Sequence, residues 1–224
     1  MRFLYPDTAL KWASVKGKVT SKGSPVFGAI VSLIDAKGNI AGATVTRSSG
    51  DYEIHSLVGG NYTVRVSPLD PAGTANAHSL LRGEEIALDY YFADTDFQAT
   101  PPIGLTLTNA QNLVTNFVVQ SGNPPFRITS ISKPTTLPDL VSIARYCYSL
   151  KPGQSNYYLS VNGAQLRANS ILTVTGDGIT MGSTVFKKDR FPNLHTLTAP
   201  ISVSSNATPG LRTLVVQNGT NYAY

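Results

Sequence analysis

Any chemistry done by this sequence would rest on three histidines, one cysteine and a few neighbouring carboxylates. His55 falls in an alternating stretch, His78 in an irregular one and His195 just ahead of another alternating run. No two histidines stand one helical turn apart and no HExxH occurs, so no helix face offers a pair of imidazoles to zinc. A serine hydrolase needs its nucleophile on a strained elbow, and no G-x-S-x-G is found. Asp94 and Asp96 flank Thr95 and are the candidate metal ligands, as a Ca²⁺ pair, although the rest of an EF-hand loop is missing. Paired carboxylates leave a glycosidase open by spacing alone, yet small β-sandwiches seldom enclose such a cleft. No glycine-rich phosphate loop leads into a helix, which removes nucleotide binding. Cys147 lies in the apolar run VSIARYCYSL and reads as a buried, inert thiol. The expectation is a chain with no catalytic residue and no cofactor.

Binding residues are easier to nominate. Adjacent tyrosines on a regular strand point to opposite faces, so one each of Tyr90 and Tyr91, and of Tyr157 and Tyr158, should face outward. An outward tyrosine can stack on a sugar ring or dock a protein, or it can cap the edge of the core. Lys187, Lys188 and Arg190 stand beside Phe186 and Phe191 as a basic-aromatic cluster. That cluster suits an acidic polymer, or else it is a solvated basic surface; no single-strand-binding barrel or recognition helix accompanies it, so nucleic acid is not expected. Charge is also uneven. Residues 1–120 carry nine Lys/Arg against ten Asp/Glu, and residues 121–224 carry nine against three, so any attraction to an acidic partner is expected in the second half. The Asn-x-Ser/Thr triplets at Asn61, Asn206 and Asn218 arise by chance in so Asn- and Thr-rich a chain, and matter only in a source that glycosylates.

The elements that must position these residues are strands. Across 224 residues, 42% are hydrophobic and 14% charged, with 19 Gly and 14 Pro, the profile of an ordered, turn-rich all-β protein. A lone cysteine rules out an internal disulfide framework, which a chain of this size can do without even when exported. No apolar run reaches the roughly 18 residues needed to cross a membrane, so no membrane insertion is expected. The first residues lack the regions of a signal peptide; an exported protein would have lost its signal or carry it upstream.

The chain is organised around GDYEIHSLVGGNYTVRV, Gly50 to Val66. Tyr52 and Ile54 alternate with Asp51, Glu53 and His55, and Tyr62, Val64 and Val66 with Asn61, Thr63 and Arg65, which predicts two strands. Gly59-Gly60 between them predicts a tight hairpin through positive φ. Upstream, Val15 to Thr20 and Ile30 to Asp35 read as strands, Gly38-Asn39 as a hairpin turn, and Ser48-Ser49-Gly50 as a further turn. Downstream, a short helix or crossover is expected near Ala75 to Arg82, a turn at Thr108-Asn109-Ala110-Gln111, and core closure by Leu113 and Phe117. With its glycine and tyrosine positions, the stretch from about 14 to 120 resembles the carboxypeptidase regulatory-like domain. That resemblance implies a transthyretin-like β-sandwich, an accessory module of secreted proteins with no reactive residue of its own.

SGNPP, residues 121–125, reads as a linker. Beyond it Ile128 to Ile131, Ala144 to Leu150, Tyr157 to Val161, Ser170 to Thr175, Thr196 to Val203 and Leu211 to Gln217 read as strands. Turns are expected at Lys151 to Gln154, Asn162-Gly163 and Gly176-Asp177-Gly178. Val161-Asn162-Gly163, Pro209-Gly210 and Asn218-Gly219 give residues 126–224 a resemblance to the IPT/TIG type of immunoglobulin-like fold. At the other end, Leu4-Tyr5-Pro6 is similar to the close of matrixin-type zinc metalloprotease domains, so residues 1–13 would be a tail or linker after a covalently attached catalytic domain. The expected architecture is all-β, two tandem β-sandwiches, transthyretin-like then immunoglobulin-like. The expected role is a non-enzymatic accessory, interaction or spacer segment of a larger exported bacterial protein, extracellular or at the cell surface and facing a protein or polysaccharide. A carbohydrate-binding module is the alternative, and a stand-alone enzyme the third reading.

Overall fold

The computed structural model describes residues 11–68, 97–121, 126–136, 148–188 and 195–224, and every regular element among them is a strand. The chain divides into two compact units, Met1–Ala36 with Ile40–Ser121, and Lys37–Asn39 with Gly122–Tyr224. The expected tail at 1–10, the element near Ala75 to Arg82 and linker residues 122–125 lie outside the described residues.

In the first unit, β1 (Ala13–Ser21) is the hub of one sheet. It pairs antiparallel with β2 (Ser24–Pro25) and β5 (Asp51–Leu57), and parallel with β9 (Asn112–Val114) and β10 (Phe117–Val118). The facing sheet is antiparallel in the order β4 (Ile40–Val45), β3 (Ala29–Asp35), β6 (Gly60–Pro68), β8 (Ile103–Leu107). A short pair, β7 (Phe97–Gln98) with β11 (Gln120–Ser121), completes the unit, so Ser121 ends a strand rather than opening a linker. Val15, Val19, Ile54 and Phe117 from the first sheet meet Val31, Leu33, Val64 and Val66 from the second in one buried cluster. Each wholly buried valine or leucine is worth about 1.5–3 kcal/mol, which makes this cluster the main driving force of the unit. Leu113 and Phe117 join that core as expected, and Gly38 (φ 79°) and Gly50 (φ 77°), in the two expected turns, are left-handed.

The hairpin expected across Gly59-Gly60 does not form. β5 pairs with β1, whereas β6 pairs with β3 and β8, so the two strands belong to facing sheets and the connection crosses between them. Neither glycine is left-handed. Gly59 is needed for proximity: a Cβ there would stand 2.6 Å from the Asn109 side-chain oxygen, which accepts the Gly59 N–H at 2.9 Å. The left-handed residue is Ser56 (φ 59°), in a bulge between the register pairs Val15↔Ile54 and Ala13↔Leu57. The extra residue rephases the strand, so Leu57 points inward with Tyr52 and Ile54 despite its odd spacing.

In the second unit one sheet runs β12 (Arg127–Thr135), β13 (Tyr157–Ala164), β17 (His195–Val203), β15 (Ile179–Met181), with β16 (Val185–Lys187) also on β17. The other runs β14 (Ile171–Val174), β18 (Leu214–Asn218), β19 (Asn221–Ala223). Val161, Leu197 and Ala199 pack with Leu172, Val216 and Ala223 to make its core. Asn162-Gly163, expected as a turn, lies inside β13. Gly163 is there because a Cβ would stand 2.2 Å from the Arg127 carbonyl oxygen. Asn162 spans its neighbours, donating from Nδ2 to Ser130 Oγ (3.0 Å) and accepting from Thr196 Oγ1 (2.6 Å). Residues 148–150 carry no strand, and the rest of the strand expected from Ala144, with Cys147, lies outside the described residues.

Candidate functional site

The outer face of the β1 sheet is set by alternation. Because Val15 and Val19 turn inward, Lys16 and Lys18 turn outward; because Tyr52 and Ile54 turn inward, Asp51, Glu53 and His55 turn outward. The β1–β5 register brings Lys16 opposite Glu53 and Lys18 opposite Asp51. On the other flank of β1, Val114 and Asn116 point the same way, and beside β5 stands Arg47, whose N–H donates to the Asp51 carbonyl at 3.0 Å. Together these residues line a groove of about 620 Å³.

Gly17 shapes the floor. A Cβ at this position would stand 1.7 Å from the Thr115 carbonyl oxygen, so only glycine lets the β9–β10 segment lie this close to β1. The Thr115 carbonyl then accepts the Tyr52 hydroxyl at 2.9 Å, and the Thr115 N–H donates to the Lys16 carbonyl at 2.9 Å. Burial raises the Tyr52 phenol well above its ordinary titration range. Its ring is 4% exposed and tilts against Phe117, with centroids 5.9 Å apart, so it lines the groove while packing into the core.

Along the rim the acceptors are engaged by protein donors. Ser49 Oγ donates to Asp51 Oδ2 at 2.6 Å, Lys18 Nζ stands 3.5 Å from Asp51 Oδ1, and His55 Nε2 stands 3.4 Å from Glu53 Oε2. The Ser49 hydrogen bond, then the charges of Lys18 and Arg47, hold the Asp51 carboxyl below its usual value. Asn116 Oδ1 accepts the Lys18 N–H at 2.9 Å. No serine or threonine nucleophile is paired with His55 there, and among the described residues no group of three His, Cys, Asp or Glu could hold a metal. The groove's lining is charged, with Lys16, Lys18 and Arg47 beside Asp51 and Glu53.

The residues nominated from sequence fall elsewhere. Asp94, Asp96, Tyr90, Tyr91 and Arg190 lie outside the described residues, as does Phe191. Tyr157 and Tyr158 open β13, both half-buried. Tyr157 shares a strand face with buried Leu159 and Val161 and receives a 3.4 Å hydrogen bond from Gln154 Nε2; Tyr158 lies opposite Pro200. Lys187 and Lys188 are exposed, but the neighbouring Phe186 packs against the core and meets His195 edge-on at 5.4 Å, so strand alternation turns the ring away from Lys187. Tyr222 of β19 and Tyr224 just past its end also pair, their rings within 19° of parallel and 6.4 Å apart. The groove residues were visible in sequence only as the wet faces of two strands; their convergence needed the β1–β5 register.

Residues 14–87 match the family model of the carboxypeptidase regulatory-like domain, starting where the sequence resemblance starts and ending short of residue 120. β2 to β6 and all of β1 but Ala13, and with them every groove residue except Val114 and Asn116, fall within that match. No curated protein matches the chain in sequence. Among solved structures it is similar to the major pilin subunit BcpA of Bacillus cereus, at 10% identity over 96% of this chain and 68% of that one, with a TM-score of 0.34. A substituted form of the same pilin gives a TM-score of 0.35 at the same identity and coverage. The full-length major pilin SpaD from Corynebacterium diphtheriae follows at 9% identity, over 94% of this chain and 64% of that one, with a TM-score of 0.33. Overlays of this size carry no argument about role.

Proposed function

We propose that this chain is a non-enzymatic accessory segment, in which a regulatory-like β-sandwich and an IPT/TIG-type immunoglobulin-like unit present binding surfaces from a larger exported bacterial protein. The observation that carries this reading is the groove on the β1 sheet, a charged surface largely inside the regulatory-like match in which the His55 imidazole pairs with Glu53 and the Asp51 carboxylate with Ser49 and Lys18. The Leu4-Tyr5-Pro6 resemblance makes a matrixin-type protease the leading candidate for the attached domain, outside the cell or at its surface. An immunoblot of cells and culture medium, using an antibody raised against this chain, tests the context. The reading expects an extracellular band well above 23.9 kDa; a 23.9 kDa band confined to the cell interior overturns it.

A carbohydrate-binding module is the second reading, and the near-parallel Tyr222 and Tyr224 rings favour it, since paired tyrosines suit the apolar face of a sugar. Retention of the chain on immobilised starch or cellulose, lost in Tyr222→Ala, is its expected signature.

A further inference from the structure

Hydrogen-bonding capacity in the β1-sheet groove is lopsided. Asp51 already accepts from Ser49 and Lys18, Glu53 from His55, and the Asn116 carbonyl oxygen from the Lys18 N–H. The donors are not used up. Among the described residues Lys16 makes no ion pair although it lies opposite Glu53 in the β1–β5 register, the Arg47 guanidinium acts on the Asp51 carboxylate only through the field of its charge while its backbone N–H donates to the Asp51 carbonyl at 3.0 Å, and the Asn116 amide nitrogen has no acceptor. What the groove lacks is acceptors with negative charge.

We propose that the groove docks an extended acidic peptide, its carboxylates meeting Lys16 and Arg47 and its backbone or side-chain oxygens meeting the Asn116 amide. This rests on the reading of the chain as an interaction segment and names the partner for it. The geometry favours a peptide. Lys16 on β1 and Arg47 beyond β5 are separated by about two strand spacings across the sheet and two residues along it, roughly 12 Å, and an extended peptide presents same-face side chains every ~7 Å, so acidic residues four positions apart bridge the cations with room for side-chain adjustment. Val114, 60% exposed on the same face, stands across Lys16 from Arg47 and offers an apolar contact to an aliphatic side chain further along the peptide, while Asp51 and Glu53, which lie between the two cations, are already engaged by Ser49, Lys18 and His55. An acidic polysaccharide would find the same cations but no ring to stack on, because Tyr52 is turned into the core. Two unpaired cations are also too few to hold a polyanion such as a nucleic acid against salt.

The experiment is fluorescence anisotropy of the intact chain with a short labelled peptide in which Glu alternates with Val and Ser, beside the same peptide with Gln for Glu. The Glu peptide is expected to bind, more tightly at low than at physiological ionic strength, and the Gln peptide is not. Lys16→Gln and Arg47→Gln should each weaken binding roughly tenfold, with unchanged fluorescence of Trp12, since both side chains are exposed and leave the core alone. Equal binding of the Gln peptide, indifference to both substitutions, displacement of the peptide by oligogalacturonate at lower concentration than by unlabelled peptide, or no binding overturns the proposal. Failure here differs from failure of the proposed context: an intracellular 23.9 kDa protein that binds the Glu peptide keeps the groove and loses the exported role, and an exported protein that ignores the peptide does the reverse.

Discussion

Replacing Gly17 by alanine should cost the first unit about 3 kcal/mol. The new methyl would arrive 1.7 Å from the Thr115 carbonyl oxygen, so β1 and the β9–β10 segment must part by more than about 1 Å. Overpacking of that kind costs about 1–3 kcal/mol. The shift also stretches the Thr115 N–H to Lys16 bond and the Tyr52 hydroxyl to Thr115 bond, both now 2.9 Å, at about 1 kcal/mol each. Against this, losing a glycine restricts the unfolded chain and returns about 0.4–1 kcal/mol. Urea unfolding followed by Trp12 fluorescence reads the first unit selectively, because Trp12 is the only tryptophan in the sequence. The midpoint should fall with the slope unchanged. A Gly17→Ala protein within about 0.5 kcal/mol of the parent would refute the close parallel pairing of β1 with β9 and β10, and with it the floor of the groove.

Three further outcomes follow from the same geometry. Thr46 is wholly buried, its Oγ1 accepting the Ala29 N–H at 2.8 Å and donating to the Val26 carbonyl at 2.7 Å; Thr46→Val leaves both backbone groups buried without that partner and should destabilise the first unit by about 2–3 kcal/mol in the same urea assay. Gly163→Ala forces a methyl to within 2.2 Å of the Arg127 carbonyl and should lower the calorimetric transition of the second unit while leaving the Trp12 signal in place. The folded-state pKa of the Tyr52 phenol lies above its unfolded value, so its contribution is full below about pH 10 and is lost as pH rises beyond. Stability of the parent minus that of Tyr52→Phe, measured from pH 8 upward, should therefore decline above about pH 10; a difference that stays flat to pH 12 would show the phenol to be solvated.

Much of the fold was legible because half-buried strands write their faces into alternate residues, as Val15 and Val19 against Lys16 and Lys18 do. What alternation does not reveal is the partner of each face. The hairpin expected at Gly59-Gly60 failed for that reason: two strands with a short glycine connection pair locally or cross to the facing sheet, and β5 found β1 instead. Asn162-Gly163 misled in another way, since the same dipeptide that makes a turn also suits a mid-strand position where a neighbouring carbonyl needs the space of a Cβ. The groove was half visible, as two wet strand faces of opposite charge. That Lys16, Glu53 and Asn116 share one surface follows from pairings between distant segments, which no local period encodes. The expectation that acidic partners would be drawn to the second half followed net charge, whereas the unpaired donors argued above arise from local pairing in the first.

A ¹H–¹⁵N NMR titration of the intact chain with the Glu-containing peptide addresses the central claim most directly. The account predicts saturable shifts concentrated at Lys16, Lys18, Arg47, Glu53, His55 and Asn116, with the amides of the second unit unmoved. Shifts centred on Lys187 and Lys188, or spread evenly over both units, would contradict it.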